Sequence, residues 1–446
     1  MHDVRVYNSL KDSLEVFKPI REKEVSMYVC GPTVYGPVHI GNMRPVVVFD
    51  VLKRLFKYLG YKVTHISNVT DVDDKIIAAA IREKISELEL TKKYAESYFK
   101  CLEELNVEKA EYTPYVTENM DGIIKFIADL IDKGFAYEVN GDVYFRVSKL
   151  EGYGKLSNLD IEDLKVGARI EENLDKENPL DFTLWKKTDV GINWDSPWSK
   201  GRPGWHTECV VMINNIYQDG RIDIHGGGFD LKFPHHENEI AQSLALHGHR
   251  IATYWMHNGF VNIDNQKMSK SLGNVRLAKD FLETYGGSVV RLALLSTHYR
   301  APLNFTDEVM NSNQVEYTKI ENAIRLAKVR FQLNNIDYQN ADLLEDKLND
   351  FINELADDLN TANAISIIFA LVKDLNLDIR RNKLDSSARI VKTLDIMLDV
   401  LGFKAIDVVL TEEDIELFNK YHEAKSRKDF ALSDSIREVL MERKLM

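Results

Sequence analysis

The sequence has few cysteines, no long hydrophobic run and no excess of positive charge, and each lack excludes a class of protein. Three cysteines among 446 residues cannot form a disulfide framework, so we expect a reducing, cytoplasmic location and treat any special cysteine as a candidate metal ligand or nucleophile. No apolar run approaches the ~20 residues that span a bilayer. The first residues also lack the basic and then apolar layout of a secretory signal, so no membrane partner is expected.

The charge balance excludes a chain coated with basic residues for binding nucleic acid. The 57 basic and 70 acidic residues give a net charge of −13, although a local basic patch remains compatible with this value. Hydrophobic residues make up 44% and charged residues 28%, which is typical of a globular protein and excludes a mainly disordered, collagen-like or coiled-coil chain. A chain of this length predicts roughly three domains.

Two βαβ units are predicted, far apart in the chain. In the first, residues 26–30 and 62–67 are predicted strands on either side of a helix at 41–59. In the second, a strand at 221–224 and a tight turn at 226–228 precede a helix at 234–246. Such units predict a parallel sheet whose ligand lies at the carboxyl ends of its strands.

Between these units we predict a smaller inserted domain at 112–195. It contains a hairpin at 137–145 with an Asn140-Gly141 turn and a charged, loop-like stretch at 157–187. From about residue 311 onwards the pattern is helical, with Thr361 as a candidate N-cap.

The loop after the first predicted strand places His39, Gly41 and Asn42 at the start of a helix. Helix N-termini favour anions because their unpaired N–H groups point toward the ligand, so a phosphate site is one interpretation and an ordinary strand-to-helix turn is the other. About 230 residues downstream, Lys267-Met-Ser-Lys270-Ser271 has the composition of a mobile loop that closes on a triphosphate, or of a solvated surface turn. The two segments together favour nucleotide binding.

A candidate zinc site comes from residues distant in sequence. His235 and Glu239 have the i, i+4 spacing at which two side chains can hold one ion, and Cys30 and Cys209 supply two possible thiolates. Buried free cysteines and a solvated His/Glu helix face remain the alternatives at this point. Cys101 lies in a charged helix without nearby histidine or aspartate, and we interpret it as structural.

With these motifs in place, the sequence resembles the cysteinyl-tRNA synthetase family, within class I of the aminoacyl-tRNA synthetases, over nearly its whole length. Six ordered segments carry the resemblance: 28–33 (YVCGPT), 68–75 (NVTDVDDK), 201–206 (GRPGWH), 223–228 (DIHGGG), 233–239 (FPHHENE) and 267–271 (KMSKS). The resemblance implies that one zinc per chain is bound by Cys30, Cys209, His235 and Glu239.

The resemblance also implies the reaction and its partners. ATP, with Mg²⁺, would activate L-cysteine to cysteinyl-adenylate, and the cysteinyl group would then pass to the 3′ end of tRNA(Cys). The implied catalytic residues are His39, Asn42, Lys267 and Lys270. Gly41, Met268 and Ser269 would join them in binding ATP. The amino-acid pocket would be lined by Cys30, Gly31, Thr70, Trp205 and Asp230, and we expect a monomer.

The implied fold class is α/β. We expect a Rossmann-type parallel-sheet catalytic domain split by a small α+β insert, then a C-terminal α-helical bundle and a short anticodon-binding region. The expected divisions are the first catalytic half at 1–111, the insert at 112–195, the second catalytic half at 196–260, a linking domain with the KMSKS loop at 261–310, the bundle at 311–400 and the anticodon-binding region at 401–446.

Two departures from the family pattern bear on function. The first signature normally ends in histidine, where this chain has Asn42, which can donate a hydrogen bond to phosphate but carries no charge. The chain also ends at Met446, whereas family members usually continue for a short further segment. Alternatives are a cysteine ligase of the same fold that acts on an amino sugar, a zinc hydrolase, and a tRNA-binding paralogue with weakened catalysis.

Overall fold

The first predicted βαβ unit forms at the N-terminal end of the chain. A computed structural model describes residues 2–158, 175–264, 266–268 (267 in its backbone only) and 273–446. A short antiparallel hairpin precedes the unit, and two helices follow it. The elements of this part are β1 (Arg5–Asn8), β2 (Ser13–Val16), β3 (Glu24–Val29), α1 (Ile40–Tyr58), β4 (Lys62–Ile66), α2 (Asp74–Glu83) and α3 (Glu87–Glu104).

The inserted segment forms an antiparallel sheet of its own. The Asn140-Gly141 hairpin is present, and both turn residues have positive φ values of 54° and 96°, as a type I′ turn requires. Residues 182–187, predicted as loop, form a strand because the apolar side chains of Phe182, Leu184 and Trp185 are buried in the insert core. Its elements are α4 (Met120–Asp132), β5 (Ala136–Val139), β6 (Asp142–Phe145), β7 (Phe182–Lys187), β8 (Trp194–Asp195) and β9 (Lys200–Pro203), in the order β5-β6-β7-β9-β8.

The second βαβ unit completes the parallel sheet. It consists of β10 (Ile222–Gly228), α6 (Glu237–His247) and β11 (Ala252–Asn258), preceded by α5 (Glu208–Ile216). The strand order is β11-β10-β3-β4, so the first unit winds away from the middle of the sheet in one direction and the second in the other. In open parallel sheets a ligand binds at this switch point, here between the carboxyl ends of β3 and β10.

The tight turn predicted at Gly226–Gly228 is wrong, because β10 continues through Gly228 and pairs with Asn258 of β11. Close packing explains the glycine at the first position. A Cβ atom on Gly226 would lie 2.2 Å from the ring of Phe49, which packs from α1 against this strand. Gly226 therefore allows α1 to approach the sheet, rather than turning the chain.

The last third of the chain is helical, as predicted. Its first helix starts at Asp307, and the predicted N-cap Thr361 is instead the first residue of its helix, capped by Asn360. The Thr361 hydroxyl donates to the Leu295 carbonyl (2.7 Å). The remaining elements are β12 (Val261–Ile263), β13 (Gln266–Lys267), α7 (Ala278–Tyr285), α8 (Gly287–Leu295), β14 (Leu303–Asn304), α9 (Asp307–Leu333), α10 (Glu345–Ala356), α11 (Thr361–Arg380), α12 (Leu384–Val400), α13 (Glu412–Ser426) and α14 (Phe430–Glu442).

A buried arginine fastens these helices to the catalytic half. Arg291 of α8 is fully buried and forms an ion pair with Asp50 of α1. Its other nitrogens donate to the carbonyls of Leu401 (2.6 Å) and Leu105 (2.8 Å), so three parts of the chain meet at one guanidinium. Among the described residues, no helix combines the length and apolar character that crossing a membrane would require.

Candidate metal centre and nucleotide site

Two thiols meet at the switch point of the parallel sheet. Cys30 follows β3 directly, and its backbone N–H donates to the Gly226 carbonyl of β10 (3.2 Å), which fixes the residue between the two βαβ units. Cys209, the second residue of α5, is 2% exposed. The two Sγ atoms lie 3.9 Å apart although 179 residues separate them in the chain.

His235 and Glu239 complete the cluster from the turn that leads into α6. The Nε2 atom of His235 lies 3.6 Å from Cys209 Sγ and 3.0 Å from Glu239 Oε1. One donor atom from each of the four residues lies within 4.8 Å of all the others. Tetrahedral zinc, with bonds of about 2.3 Å to sulfur and about 2.0 Å to nitrogen, needs ligand atoms spaced by roughly 3.3–3.8 Å. The cluster therefore fits one zinc ion.

The helix predicted from Pro234 begins at Glu237, and Phe233, with a φ of −138° and a ψ of 135°, interrupts the helical path just before it. The expected i, i+4 pairing of His235 and Glu239 nevertheless holds, because His236 and Glu237 already have helical backbone angles.

Burial makes this cluster attractive to a cation. Burial and the neighbouring Cys30 raise the pKa of Cys209 well above its ordinary value, and burial also raises the pKa of Cys30. Both thiols are therefore expected to ionise only when a cation lies between them. Burial alone would raise the pKa of Glu239, but His225 and His235 outweigh it and lower that pKa well below its usual range. The Glu239 oxygens lie 2.7 and 3.0 Å from the Nε2 atoms of His225 and His235. Among the described residues, neither contact has the geometry of a hydrogen bond.

The sequence analysis missed a layer of histidines behind the ligands. His225 of β10 lies 2.7 Å from Glu239 Oε2, and His236 Nε2 lies 3.4 Å from Cys30 Sγ. The other nitrogen of His236 lies 2.8 Å from His257 Nε2. Cys30, His225, His236 and Glu239 form a second possible set of four ligands that shares two members with the first. The available signal was a histidine in a strand that also carries Asp223 and whose first six residues are buried.

The residues expected to bind the amino acid are only partly brought together. Trp205 is 38% exposed and stacks on His235 with ring centroids 4.2 Å apart, so it borders the cluster rather than filling the core. Thr70 is buried, and its hydroxyl donates to Glu208 Oε2 (2.7 Å), a partner that the sequence analysis missed. Asp230 is exposed on a short helix after β10, and the described contacts do not join it to the cluster.

The first candidate nucleotide segment lies beside described residues that follow the second. The Ile40 N–H donates to the Arg276 carbonyl (3.0 Å), and the Ala278 N–H donates to the Val38 carbonyl (3.0 Å). The first signature therefore pairs with the residues that follow the second. Ser269 and Lys270 lie outside the described residues, as does the side chain of Lys267.

Asn42 has a defined role at the start of α1. Its Oδ1 accepts a hydrogen bond from the backbone N–H of His39 (3.0 Å), so the side chain caps the helix. This bond leaves Nδ2 as the donor end of the amide. Asn42 can therefore offer a neutral NH2 group to a phosphate, where the family histidine offers an imidazole.

We predict that Gly41→Ala weakens the use of ATP. A Cβ atom at this position would lie 2.8 Å from Met268 Cε and 3.0 Å from the His39 ring, so it would displace two side chains that are expected to contact ATP. We expect kcat/KM for ATP in pyrophosphate exchange to fall by about 10–100-fold, the usual effect of a displacement of about 1 Å at a reacting centre. The control is Gly36→Ala, because a Cβ there meets nothing within 4 Å. Equal losses in both variants would contradict the prediction.

Comparisons with known proteins identify the family of the chain. A family model described as the catalytic domain of class I (C) tRNA synthetases matches residues 16–315, and a DALR domain model matches residues 350–405. The "Cysteine--tRNA ligase" of Acholeplasma laidlawii is 46% identical over 440 residues, covering 99% of each chain. That of Staphylococcus aureus (strain MSSA476) is 47% identical over 448 residues, covering 98% of this chain and 96% of the relative.

Solved structures share the fold at low identity. A putative arginyl-tRNA synthetase from Campylobacter jejuni has a TM-score of 0.60 at 15% identity, over 88% of this chain and 95% of that one. A Mycobacterium tuberculosis methionyl-tRNA synthetase in complex with methionyl-adenylate has a TM-score of 0.62 at 14% identity, over 85% and 89%. These likenesses and the family models confirm the predicted fold class. Together with the full-length relatives, they show that the chain belongs to the cysteinyl-tRNA synthetase family of class I aminoacyl-tRNA synthetases.

Proposed function

We propose that this chain activates L-cysteine with ATP and transfers the cysteinyl group to tRNA(Cys), with one zinc ion selecting the substrate. The observation that carries the proposal is the meeting of Cys30, Cys209, His235 and Glu239 at the switch point of the sheet. We favour this set over the one with His225 and His236 because two sulfur ligands suit zinc better than one.

The selectivity needs more than the shape of the pocket. Serine differs from cysteine by one atom, and a steric pocket separates such near-isosteres by only about 10²-fold. A zinc ion bound here supplies a soft centre that takes a thiolate in preference to a hydroxyl. Trp205, stacked on His235, covers the cluster and limits the space beside it. No editing domain is then required.

Thr70 and Glu208 give the pocket a polarity suited to the substrate ammonium group. The Thr70 hydroxyl donates to Glu208 and accepts from Asn68 Nδ2 (3.3 Å). A hydroxyl has one donor site and two acceptor sites. These two bonds use the donor site and one acceptor site of Thr70, so its second acceptor site is left for a ligand. Thr70 would therefore receive an N–H of the amino acid. Cys30, Gly31 and Asp230 complete the proposed pocket.

The activation step takes place beside the paired signatures. The cysteine carboxylate attacks the α-phosphate, the bond to pyrophosphate breaks in line, and cysteinyl-adenylate forms. His39, Asn42, Lys267 and Lys270 would hold the triphosphate, with Mg²⁺, and stabilise the charge that develops on it. Gly41, Met268 and Ser269 would pack against the nucleoside.

The helical C-terminal region provides the surface for tRNA. Two exposed basic clusters lie there, at 380–383 and 425–428, and the second is followed by the exposed ring of Phe430. Cations can pair with phosphates and an exposed ring can stack on a base, so the net charge of −13 does not exclude this partner. We propose a cytoplasmic monomer, since a reducing compartment keeps both ligand thiols reduced.

The alternative functions do not account for all of these observations. An amino-sugar ligase of this fold does not need a long helical region, whereas the DALR model matches residues 350–405 and the curated relatives align over nearly the whole chain. A zinc hydrolase does not need the paired nucleotide signatures. The division into the six stretches given above remains part of this proposal, with the end of the insert moved from residue 195 to Pro203, because β9 belongs to the insert sheet.

Cysteine-dependent exchange of pyrophosphate into ATP tests the proposal. We expect exchange with cysteine and not with serine, because serine stays a protonated and poor zinc ligand. Removal of zinc by a chelator is expected to abolish the exchange, and added zinc to restore it. Charging of tRNA(Cys) then separates this function from an amino-sugar ligase. Equal exchange with serine, or full exchange after zinc removal, would refute the proposed selectivity.

A further inference from the structure

The insert contacts the turn that carries the candidate metal ligands at two of the three residues between His235 and Glu239, namely Glu237 and Asn238. Glu237, 1% exposed, accepts hydrogen bonds from the Ser157 backbone N–H (2.9 Å) and hydroxyl (3.0 Å). Asn238, also 1% exposed, accepts one from the Tyr153 hydroxyl (2.5 Å). These contacts join residues that lie about 80 positions apart in the chain.

The segment 153–157 forms a cradle for the Glu237 carboxylate. The backbone N–H and the hydroxyl of Ser157 both donate to the same oxygen of this carboxylate, Oε2. Gly154, three residues earlier, has a φ of 94°, which glycine adopts without strain where the chain turns. A buried carboxylate is costly unless such donors surround it, so this contact is specific.

The cradle acts on the turn that carries two of the proposed ligands. His235 and Glu239 lie one turn apart, so they share a face, and Glu237 in the middle of that turn points to another side. A contact on Glu237 and Asn238 therefore limits rotation of this turn about the helix axis. Such a rotation would change the direction of both candidate ligands. Groups that orient metal ligands typically affect metal affinity by about 10–100-fold.

We propose that segment 153–157 of the insert is a positioning element of the metal centre, which slows zinc release by holding Glu237 and Asn238. Glu237, Asn238, Tyr153 and Ser157 are positioning residues, since they act through His235 and Glu239 and do not touch substrate. The inference rests on the proposed function, because it takes zinc as the ion.

The test compares zinc release from the purified holoenzyme into an excess of a chromogenic chelator. Glu237→Gln turns one acceptor into a donor that faces other donors, and we expect about 10-fold faster release. Tyr153→Phe removes one hydroxyl, and we expect about threefold faster release. The matched control is Tyr137→Phe, which removes an equally buried insert hydroxyl, bonded to Asp181 Oδ2 (2.8 Å) away from α6. Its release rate should equal that of the wild type.

A double variant distinguishes an effect on the positions of the candidate metal ligands from a general loss of stability of the fold. Ser157→Ala acts through Glu237, so it should speed release alone but add little to Glu237→Gln. Additive effects of the two changes would overturn the inference. Acceleration in Tyr137→Phe equal to that in Tyr153→Phe, at equal losses of melting temperature, would also overturn it. Wild-type release rates in Glu237→Gln and Tyr153→Phe would overturn this inference alone, whereas wild-type protein that holds no zinc would overturn the proposed metal site as well.

Discussion

Cys209→Ser is expected to lower kcat/KM for cysteine in pyrophosphate exchange by about 10³-fold, the upper scale for loss of one preorganised contact. The substitution removes a thiolate from the four-residue cluster while keeping the size of a side chain that is only 2% exposed. A serine hydroxyl is a poor zinc ligand, so the zinc content of the purified protein should fall well below one per chain. Metal analysis and exchange kinetics on the same sample measure both effects.

Cys101→Ala is the control for this experiment. Cys101 is similarly buried, but it lies on α3, packs in the main hydrophobic core and belongs to neither possible ligand set. Its variant should keep its zinc and its KM for cysteine, with some loss of thermal stability. If Cys209→Ser retained stoichiometric zinc and activity, the proposed ligand set would be wrong.

Lys270→Ala is expected to lower kcat for exchange by about 10²–10³-fold, the scale of one charged contact made on a transition state. The proposed role of Lys270 is to pair with phosphate charge that develops as pyrophosphate leaves. Because this role is separate from the metal cluster, zinc content and KM for cysteine should stay at wild-type values. Steady-state exchange at varied ATP and cysteine measures the separation.

Lys279→Ala is the matched control for the lysine substitution. Lys279 lies on α7, nine residues beyond Lys270, and among the described residues its ion pair is a long, exposed one with Glu283 (3.9 Å). It should exchange pyrophosphate at the wild-type rate. A Lys270→Ala variant as active as this control would show that the second signature does not act on the phosphates.

The βαβ units and the insert hairpin were predictable because their sequence signals are local. Apolar residues spaced by three and four mark α1, and the Asn140-Gly141 pair marks a hairpin turn that few other residues allow. The glycines at 226–228 misled the prediction because glycine serves both turns and close approach. Only the position of Phe49, from another element, distinguishes the two.

The candidate metal cluster was predictable for a different reason. Its side chains have a chemistry that few other sites need, so Cys30, Cys209, His235 and Glu239 were identified by type and by family resemblance. Glu208, His225 and Glu237 were not, because a buried polar residue is recognised only when its partner across the fold is known. Each of them is defined by a contact with a residue at least 14 positions away.

The sequence by itself determined the family of this protein and the chemical types of its candidate site residues: two candidate sulfur ligands and two candidate nucleotide signatures. The tertiary structure decided which of these groups meet, which layer supports them and how the insert reaches the metal turn. The physical reason is the distance along the chain over which each kind of interaction acts. Residue chemistry and backbone preference act over a few positions, whereas coordination and buried hydrogen bonds depend on atoms that only the folded chain brings within about 3–4 Å.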